Sequence, residues 1–409
     1  MINTIKCKGA FFSNIIWFFI TFGLLQACTG NTEQSQPLQA DEVITVETTD
    51  IPDSTDISSW IADIRVIPLK EDTGGSLGEA DKIILHGDKY IILDKYVGRS
   101  VTVFDRSGTF VISLGSRGRG PKEVVQFNDV WVDPENHIGI YDFASKKILE
   151  FGSDYQFIAG RQAQMPLILT SVAPLGSDGF IAYAAYNNDN APFQGALWQL
   201  AVLDADFNIQ STQLPYSDTL QGALVTTPMN AFTKVKDSVR FSKNYDPIIY
   251  NIAPSGELSK RYALAYKPEP LPLDFEKEII QKNIGLFKNP KADRDQVKAL
   301  FKGYSGYAGS WLETKQYVIF SSFDRDNKPF LSLYSKDKKE ILASGGWFFD
   351  PGTFDIGFPY PLTTDYDSNR FIAFCSGAYL QMLLTKESPY YELAEQHLED
   401  NFLVEIKLK

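Results

Sequence analysis

The stretch Lys82-Ile83-Ile84-Leu85, His86-Gly87-Asp88-Lys89, Tyr90-Ile91-Ile92-Leu93-Asp94, Val101-Thr102-Val103-Phe104-Asp105, Arg106-Ser107-Gly108 and Phe110-Val111-Ile112 decides the fold. Short runs of β-branched and aromatic residues alternate with Gly, Asp and Ser turns, the signature of successive hairpins. A second copy has Asp129–Val132, a turn at Asn136, Ile138–Asp142, Ile148–Phe151 and Phe157–Ala159. Asp94 and Asp142 lie 48 residues apart and Phe104 and Phe151 lie 47 apart, so the register survives with one loop residue lost.

Weaker copies continue to the C-terminus. Phe180–Tyr183 with Leu200–Asp204 makes a third, and Val239–Phe241 with Ile248–Tyr250 and the turn Pro254-Ser255-Gly256 a fourth. Tyr317–Phe320 with Phe330–Tyr334 makes a fifth, and Phe371–Phe374 with Phe402–Ile406 a sixth. Four strands in about 40–50 residues is the period of a propeller blade, a unit that cannot bury both its faces alone. The expectation is therefore all-β: a six-bladed β-propeller of four-stranded blades over 59–409, with short helical insertions. The early strand Asp63–Ile67 is placed to complete the last blade and close the ring, which protects the sheet edges.

Composition agrees. Hydrophobic residues are 44% and charged residues 22% of the 409, which excludes a chain disordered throughout and a polytopic membrane protein. The formal charge of −12 argues against nucleic acid as a partner, because neutralising phosphates needs a basic surface.

The first thirty residues carry an address. Lys6 and Lys8 precede an apolar stretch from Phe11 to Leu25, ending in Leu25-Gln26-Ala27-Cys28. A charged start, an apolar centre and small residues before a cleavage point describe a secretory signal over 1–27. A cysteine directly after that point resembles the bacterial lipobox, in which the thiol of Cys28 is acylated. The other reading is an uncleaved membrane anchor, but Phe11–Ala27 is at the short end of a bilayer span and no stop-transfer flank follows. Cleavage removes two lysines and no acid, leaving 37 basic and 51 acidic groups, or −14. The polar segment 28–58 reads as a flexible tether. With Cys28 lipidated, Cys375 has no disulfide partner and is expected to be a buried apolar thiol.

Helices are expected in an insertion near 273–303, where Asp274 can cap Phe275–Ile280 and Ala292–Phe301 repeats the period, and again at Ser388–Leu398. Catalytic and metal constellations are not found. His86 and His137 fall at or beside first-to-second-strand turns, His397 lies in a helical candidate, and none has Cys or His at metal spacing. No cofactor is implied. Gly115-Ser116-Arg117-Gly118-Arg119-Gly120-Pro121 fits neither phosphate-loop nor dinucleotide fingerprints. It reads either as an interblade loop with positive-φ glycines or as an anion-facing loop near the central channel. Asp324–Pro329 lacks the calcium-loop Gly and Glu and reads as a hairpin turn. Asp94 and Asp142 are expected to hydrogen-bond the loops that follow them. Two aromatic stretches, Gly303–Trp311 and Trp347–Phe354 with Phe358 and Tyr360, read either as ligand platforms or as satellite cores.

Ile64-Arg65-Val66-Ile67-Pro68-Leu69, the first two blades, the loop Leu114–Glu123 and the ending Glu399–Lys409 resemble the six-bladed β-propeller lipoproteins of Bacteroidota, which in turn resemble TolB and NHL propellers. Phe402 and Lys122 replace the Pro and Gly usual in that family. The resemblance implies a fold and a lipid-anchored place in a Gram-negative envelope, the outer membrane first, but no reaction.

The expected function is non-catalytic binding of a glycan, peptide or envelope protein at the face formed by second-to-third-strand loops and interblade loops. Tyr96, Arg117, Arg119, Tyr245 and Trp347 are the candidate ligand-binding residues, the arginines for anionic groups and the rings for stacking. The alternative is a hydrolase or lyase on that face, which needs paired acids or an oriented histidine and rests on fold analogy alone.

Overall fold

Six four-stranded antiparallel sheets succeed one another along the chain, and their first strands stand side by side in a closed ring. The structure is a computed structural model that describes residues 38–70, 77–162, 169–176, 179–187, 191–228 and 230–409. The signal segment 1–27 and Cys28 lie outside the described residues.

Blade one comprises Lys82–His86, Lys89–Asp94, Ser100–Asp105 and Phe110–Ser113; blade two Phe127–Val132, Ile138–Asp142, Lys147–Phe151 and Phe157–Gln162. Blade three is Ser171–Leu175, Gly179–Tyr183, Leu197–Asp204 and Ile209–Tyr216. Blade four is Phe232–Val235, Ser238–Phe241, Ile248–Ile252 and Leu258–Lys267; blade five is Gly306–Glu313, Tyr317–Phe323, Pro329–Ser335 and Glu340–Gly345. In blade six, Pro361–Asp365, Arg370–Ser376 and Asn401–Leu408 are completed by the N-terminal strand Ile61–Leu69. That strand pairs antiparallel with the C-terminal one from Ile61 opposite Leu408 to Leu69 opposite Asn401, the expected closure.

Alternation holds mainly in the outermost strands. Phe157–Gln162 alternates half-buried and exposed, whereas Ile138–Asp142 is buried throughout because both its faces pack on neighbouring blades. Trp131 crosses to Phe180 and Phe207 of blade three, with ring centroids 5.4 and 5.7 Å away. Its partner across the sheet, Gly139, is fixed by this packing, since a Cβ there would sit 2.2 Å from the indole. Cys375 lies buried in blade six, where burial pushes its thiol pKa up to about 12.

The tether ends earlier than its composition suggests. Glu42–Glu47 forms a fifth strand on blade four, parallel to Leu258–Lys267, with Ile44 and Val46 buried and Val43 outward. Thr55–Asp56 then pairs with Phe348–Phe349, and Ile57 is buried in the core that blades five and six share. The average polarity of 28–58 hides the local alternation Val43-Ile44-Thr45-Val46, which is enough to seat a strand on an open sheet edge.

Asp94 and Asp142, each at the end of a second strand, do more than the sequence predicts. Asp94 accepts backbone N–H groups from Tyr96, Val97 and Gly98 in the loop that follows, and from Gly78 and Glu79 in the connection arriving from blade six. Asp142 likewise takes Ser145 behind it and Val125 and Gln126 ahead of it. One buried carboxylate thus ties an interblade connection to a blade. Burial raises the Asp94 pKa, but the backbone donors from Glu79, Gly98, Gly78 and Val97 outweigh it, so the carboxyl titrates below its ordinary value. A depressed carboxyl stabilises the fold fully above the unfolded-state value of about 3.9 and loses that contribution as pH falls through the folded value. Asp94→Asn is therefore expected to cost about 2–4 kcal/mol at pH 7 by leaving buried N–H groups poorly matched. The gap from wild type should narrow below about pH 4. Urea denaturation at both pH values checks this, and an equal gap at both would contradict it.

Candidate functional site

Chain direction fixes which loops share a face. Second-to-third-strand loops and interblade connections emerge on one face, and first-to-second and third-to-fourth turns on the other. Every long insertion is on the first: 184–196 in blade three, 217–231 between blades three and four, 268–305 between four and five, 346–360 between five and six, and 377–400 within blade six. The other face carries short turns such as His86–Lys89 and Asp133–His137. His86 and His137 sit there as expected, and His137 Nδ1 is 3.4 Å from Asp133.

Insertion 268–305 is helical, as its sequence predicts. Lys277 N donates to Asp274 Oδ1 and Asp295 N to Asp293 Oδ1, capping its two halves. Phe275, Ile279, Ile280, Phe287 and Phe301 face the blades, where Leu271 and Phe323 join them in one core. A polar cluster anchors the insertion. Lys243 Nζ, from the second-to-third-strand loop of blade four, donates to Glu276 Oε1 at 2.6 Å and Gln199 Oε1 at 3.3 Å. Tyr186 Oη (2.6 Å) and Gln199 Nε2 (3.2 Å), both from blade three, also donate to Glu276, and Asp246 stands 3.7 Å from the ammonium. Burial acts to raise the Glu276 pKa, yet the Lys243 charge and these donors hold it below its usual value, while burial raises Asp246 despite the same lysine. Lysine, two acids and tyrosine could in other surroundings exchange protons. Here Glu276 fills the space in front of the amine, and the cluster fastens the insertion to blades three and four.

The five predicted residues all lie in loops of this face. Tyr96 is 69% exposed at the tip of the blade-one loop, and Trp347 is 38% exposed after blade five. Arg117 and Arg119 are exposed in the connection from blade one to blade two. Tyr245 is taken up in packing: its ring stacks on Phe301 at 4.4 Å and meets Phe275 and Phe323 edge-on. Sequence alone could not separate it from a ligand contact, because its covering rings come from an insertion and from the next blade.

The glycine loop resolves against an external anion. Gly120 N donates to Glu123 Oε2 at 2.6 Å, and a Cβ on Gly118 would lie 2.0 Å from that oxygen. The loop cradles the carboxylate of its own Glu123. Gly115 has φ +72°, as an interblade turn requires. Asp324–Pro329 is the expected hairpin turn, with Asp324 Oδ1 accepting from Asp326 N and Lys328 N. The aromatic stretches are mostly core. Tyr307 and Trp311 belong to the first strand of blade five, and Phe348, Phe354 and Phe358 are buried between blades five and six.

Sequence reasoning missed the helix Gly377–Leu383, capped by Ser376, which accepts from Tyr379 N. It brings Tyr379 and Met382 to the surface, one turn apart. Asp355 N donates to Leu383 O, which sets the exposed Ile356 beside the end of this helix. Trp347 packs over Gly357. Together with Leu398 these residues give blades five and six an open apolar area on the insertion face. Among the described residues no cluster of His, Cys, Asp and Glu has the geometry of a metal site.

With this ring in view, one family model matches residues 41–405, that of a domain of unknown function, DUF4934. The chain belongs to the DUF4934 family. Among solved structures it is similar to a Bacteroides fragilis protein provisionally described as exported, at 17% identity and a TM-score of 0.70 over 90% of this chain and 99% of that one. A DUF4221 family member from Bacteroides vulgatus is 11% identical over 85% of this chain and 97% of that one, with a TM-score of 0.47. Virginiamycin B lyase from Staphylococcus aureus is 11% identical over 83% and 98%, with a TM-score of 0.39. No curated protein matches. The likeness of this DUF4934 protein to the Bacteroides fragilis structure shows the fold alone, and chemistry does not travel with a fold.

Removing Glu276 leaves the buried Lys243 ammonium with Gln199 and, as its counter-charge, the more distant Asp246, a change that typically costs about 3–5 kcal/mol locally. Glu276→Ala is expected to loosen 268–305 ahead of the ring, speeding tryptic cleavage at Lys288 and Lys291. Cleavage at the wild-type rate would show that apolar packing alone holds the insertion.

Proposed function

We propose that this protein is a lipid-anchored envelope protein, acylated at Cys28, whose insertion face binds a partner without catalysis. The observation that carries the reading is the one-sided placement of exposed apolar side chains. Among the described residues, nine of the twelve large ones lie in the loops of that face: Tyr96, Val97, Leu224, Leu273, Trp347, Ile356, Tyr379, Met382 and Leu398. Exposed apolar area concentrated on one face marks an interaction surface. The export attributed to the Bacteroides fragilis relative accords with a secretory signal over 1–27, and the lipobox-like ending supports the anchor.

Of the three partner classes, glycan, peptide and envelope protein, the surface favours polypeptide. Segments 346–360 and 377–400 hold seven acids, Asp350, Asp355, Glu387, Glu392, Glu395, Glu399 and Asp400, against one Lys386. An apolar centre with acidic flanks suits a cationic amphipathic segment and repels anionic polymers. Tyr96 and Trp347 supply rings, and Arg117 and Arg119 a local contrast of charge across the face.

Photo-crosslinkers placed at Met382 or Ile356 should capture one and the same polypeptide in intact cells, and one at Ile158 on the outer edge of blade two should not. Ile356→Glu should abolish capture from Met382 with little change in melting temperature. Equal labelling from Ile158, or capture indifferent to Ile356→Glu, contradicts the reading. Cys28→Ser should move the protein from membrane to soluble fractions, and retention on membranes would point to an uncleaved anchor.

A further inference from the structure

We infer a second, small-ligand site at the seam where the ring closes: an oxyanion pocket between blades six and one, on the rim. Glu405, fully buried in the C-terminal strand, is surrounded by three guanidinium groups from distant parts of the chain. Arg65 Nη1 lies 3.0 Å and Arg370 Nη1 3.1 Å from Oε2, while Arg106 Nη1 lies 3.2 Å from Oε1, which also accepts from Tyr90 Oη at 2.5 Å. A carboxylate offers about four acceptor sites; Arg65, Arg370 and Tyr90 donate to Glu405, and Arg106 stands beside it as a charge without a hydrogen bond. Arg370 has a second acid, Asp63, at 3.5 Å. Arg65 and Arg106 must share Glu405, which leaves one positive charge in excess.

That excess faces an opening. Arg65 is 41% and Arg106 29% exposed, and both line a pocket of about 270 Å³ with Val66, Ile67, Pro68, Ser107 and Tyr390. Arg106 Nη1 is buried and makes no hydrogen bond, its approach to Glu405 being poorly aligned. Arg65 Nη2 finds only the Arg106 carbonyl at 3.4 Å. Asp105, beside Arg106 in the chain, is engaged by Ser107 N, Ser107 Oγ and Thr109 N within its own turn. Two partly exposed guanidinium groups and a tyrosine ring around a concave space fit a planar or tetrahedral oxyanion. The volume lies below the range for drug-sized ligands, so the ligand is compact, an acidic monosaccharide or a phosphate- or sulfate-bearing group of similar size. Bound there, it would bridge the closing strand to blade one and stabilise the closed ring. Tyr390 comes from insertion 377–400, but it turns to the closing strand, its hydroxyl donating to Ile64 O, and none of the exposed apolar residues of the insertion face lines the pocket, so failure of this site would leave the polypeptide-binding reading untouched.

Thermal shift at matched ionic strength tests it with galacturonate, inorganic phosphate and sulfate, against chloride and neutral galactose. A ligand that prefers the folded state raises its apparent stability, increasingly so as its concentration exceeds its dissociation constant. The inference expects at least one of the three oxyanions to raise the melting temperature where chloride and galactose do not. Which one does so identifies the source of the charge. Arg65→Gln should weaken that protection about tenfold or more in concentration, the loss of one charge-assisted fork. Because Arg65→Gln also touches Glu405, Ser107→Glu serves as a second variant, placing a negative charge at the mouth while leaving Glu405 and the side chains around it in place; it forgoes the Ser107 Oγ bond to Asp105 in the exposed turn. No protection by any oxyanion, or protection undiminished in Ser107→Glu, overturns the inference.

Discussion

Everything in this molecule depends on one strand pairing, Ile61–Leu69 against Asn401–Leu408. Each blade has two large apolar faces, and a linear array of six would leave one face bare at either end. Joining the N-terminal strand to the last blade converts the array into a ring in which every face has a neighbour. The seam is reinforced on both sides. Glu405 gathers arginines from blade six and from the third-to-fourth-strand turn of blade one, and the segment 42–60 runs on past blades four, five and six before it enters the closing strand. The same device recurs between blades four and five. There buried Glu313 receives Arg240 Nε at 2.9 Å and Lys336 Nζ at 2.8 Å. Buried ion pairs contribute little net stability against apolar equivalents, but breaking one is costly. They specify which blade meets which.

Closure also makes the ring one-sided. Strand direction forces interblade connections and second-to-third-strand loops onto one rim, and insertions accumulate only there because the opposite turns are too short to carry them. Asp94 and Asp142 hold that rim in register with the strands below, and the Lys243–Glu276 cluster seats the largest insertion. The result is a rigid base under loops of varied chemistry, an arrangement that suits recognition.

Blades were legible because hairpins are local: Lys82–Ile112 contains its own turns, and a second copy at matched spacing confirms the period. The closing strand could be placed because a ring of blades leaves one position for it. Other features depend on partners remote in sequence. Val43–Val46 is a strand only because blade four offers an edge, and a composition average conceals it. Gly306 and Gly309 made the first strand of blade five resemble a loop; Gly309, at φ +97°, sits where the pairing register shifts between Tyr307 and Trp311. Gly377–Leu383 follows the strand Arg370–Ser376 directly, with no polar loop to mark the start of a new element. Of the candidate site, the face and the exposed Tyr96 and Trp347 were readable. Tyr245 was not, nor was the Arg65–Arg106–Arg370 cluster, whose members lie up to about 300 residues apart and share only Glu405.

Native-state hydrogen exchange tests closure most directly. If the ring is sealed by the N-terminal strand, the amides of Ile64–Ile67 should exchange only with global unfolding, with the same denaturant dependence as those of Phe402–Ile406 and of the inner strands of blade one. Exchange of Ile64–Ile67 at the rate of a fraying terminus, while blades one to five stay protected, would show that the strand is an accessory and that the ring stands without it.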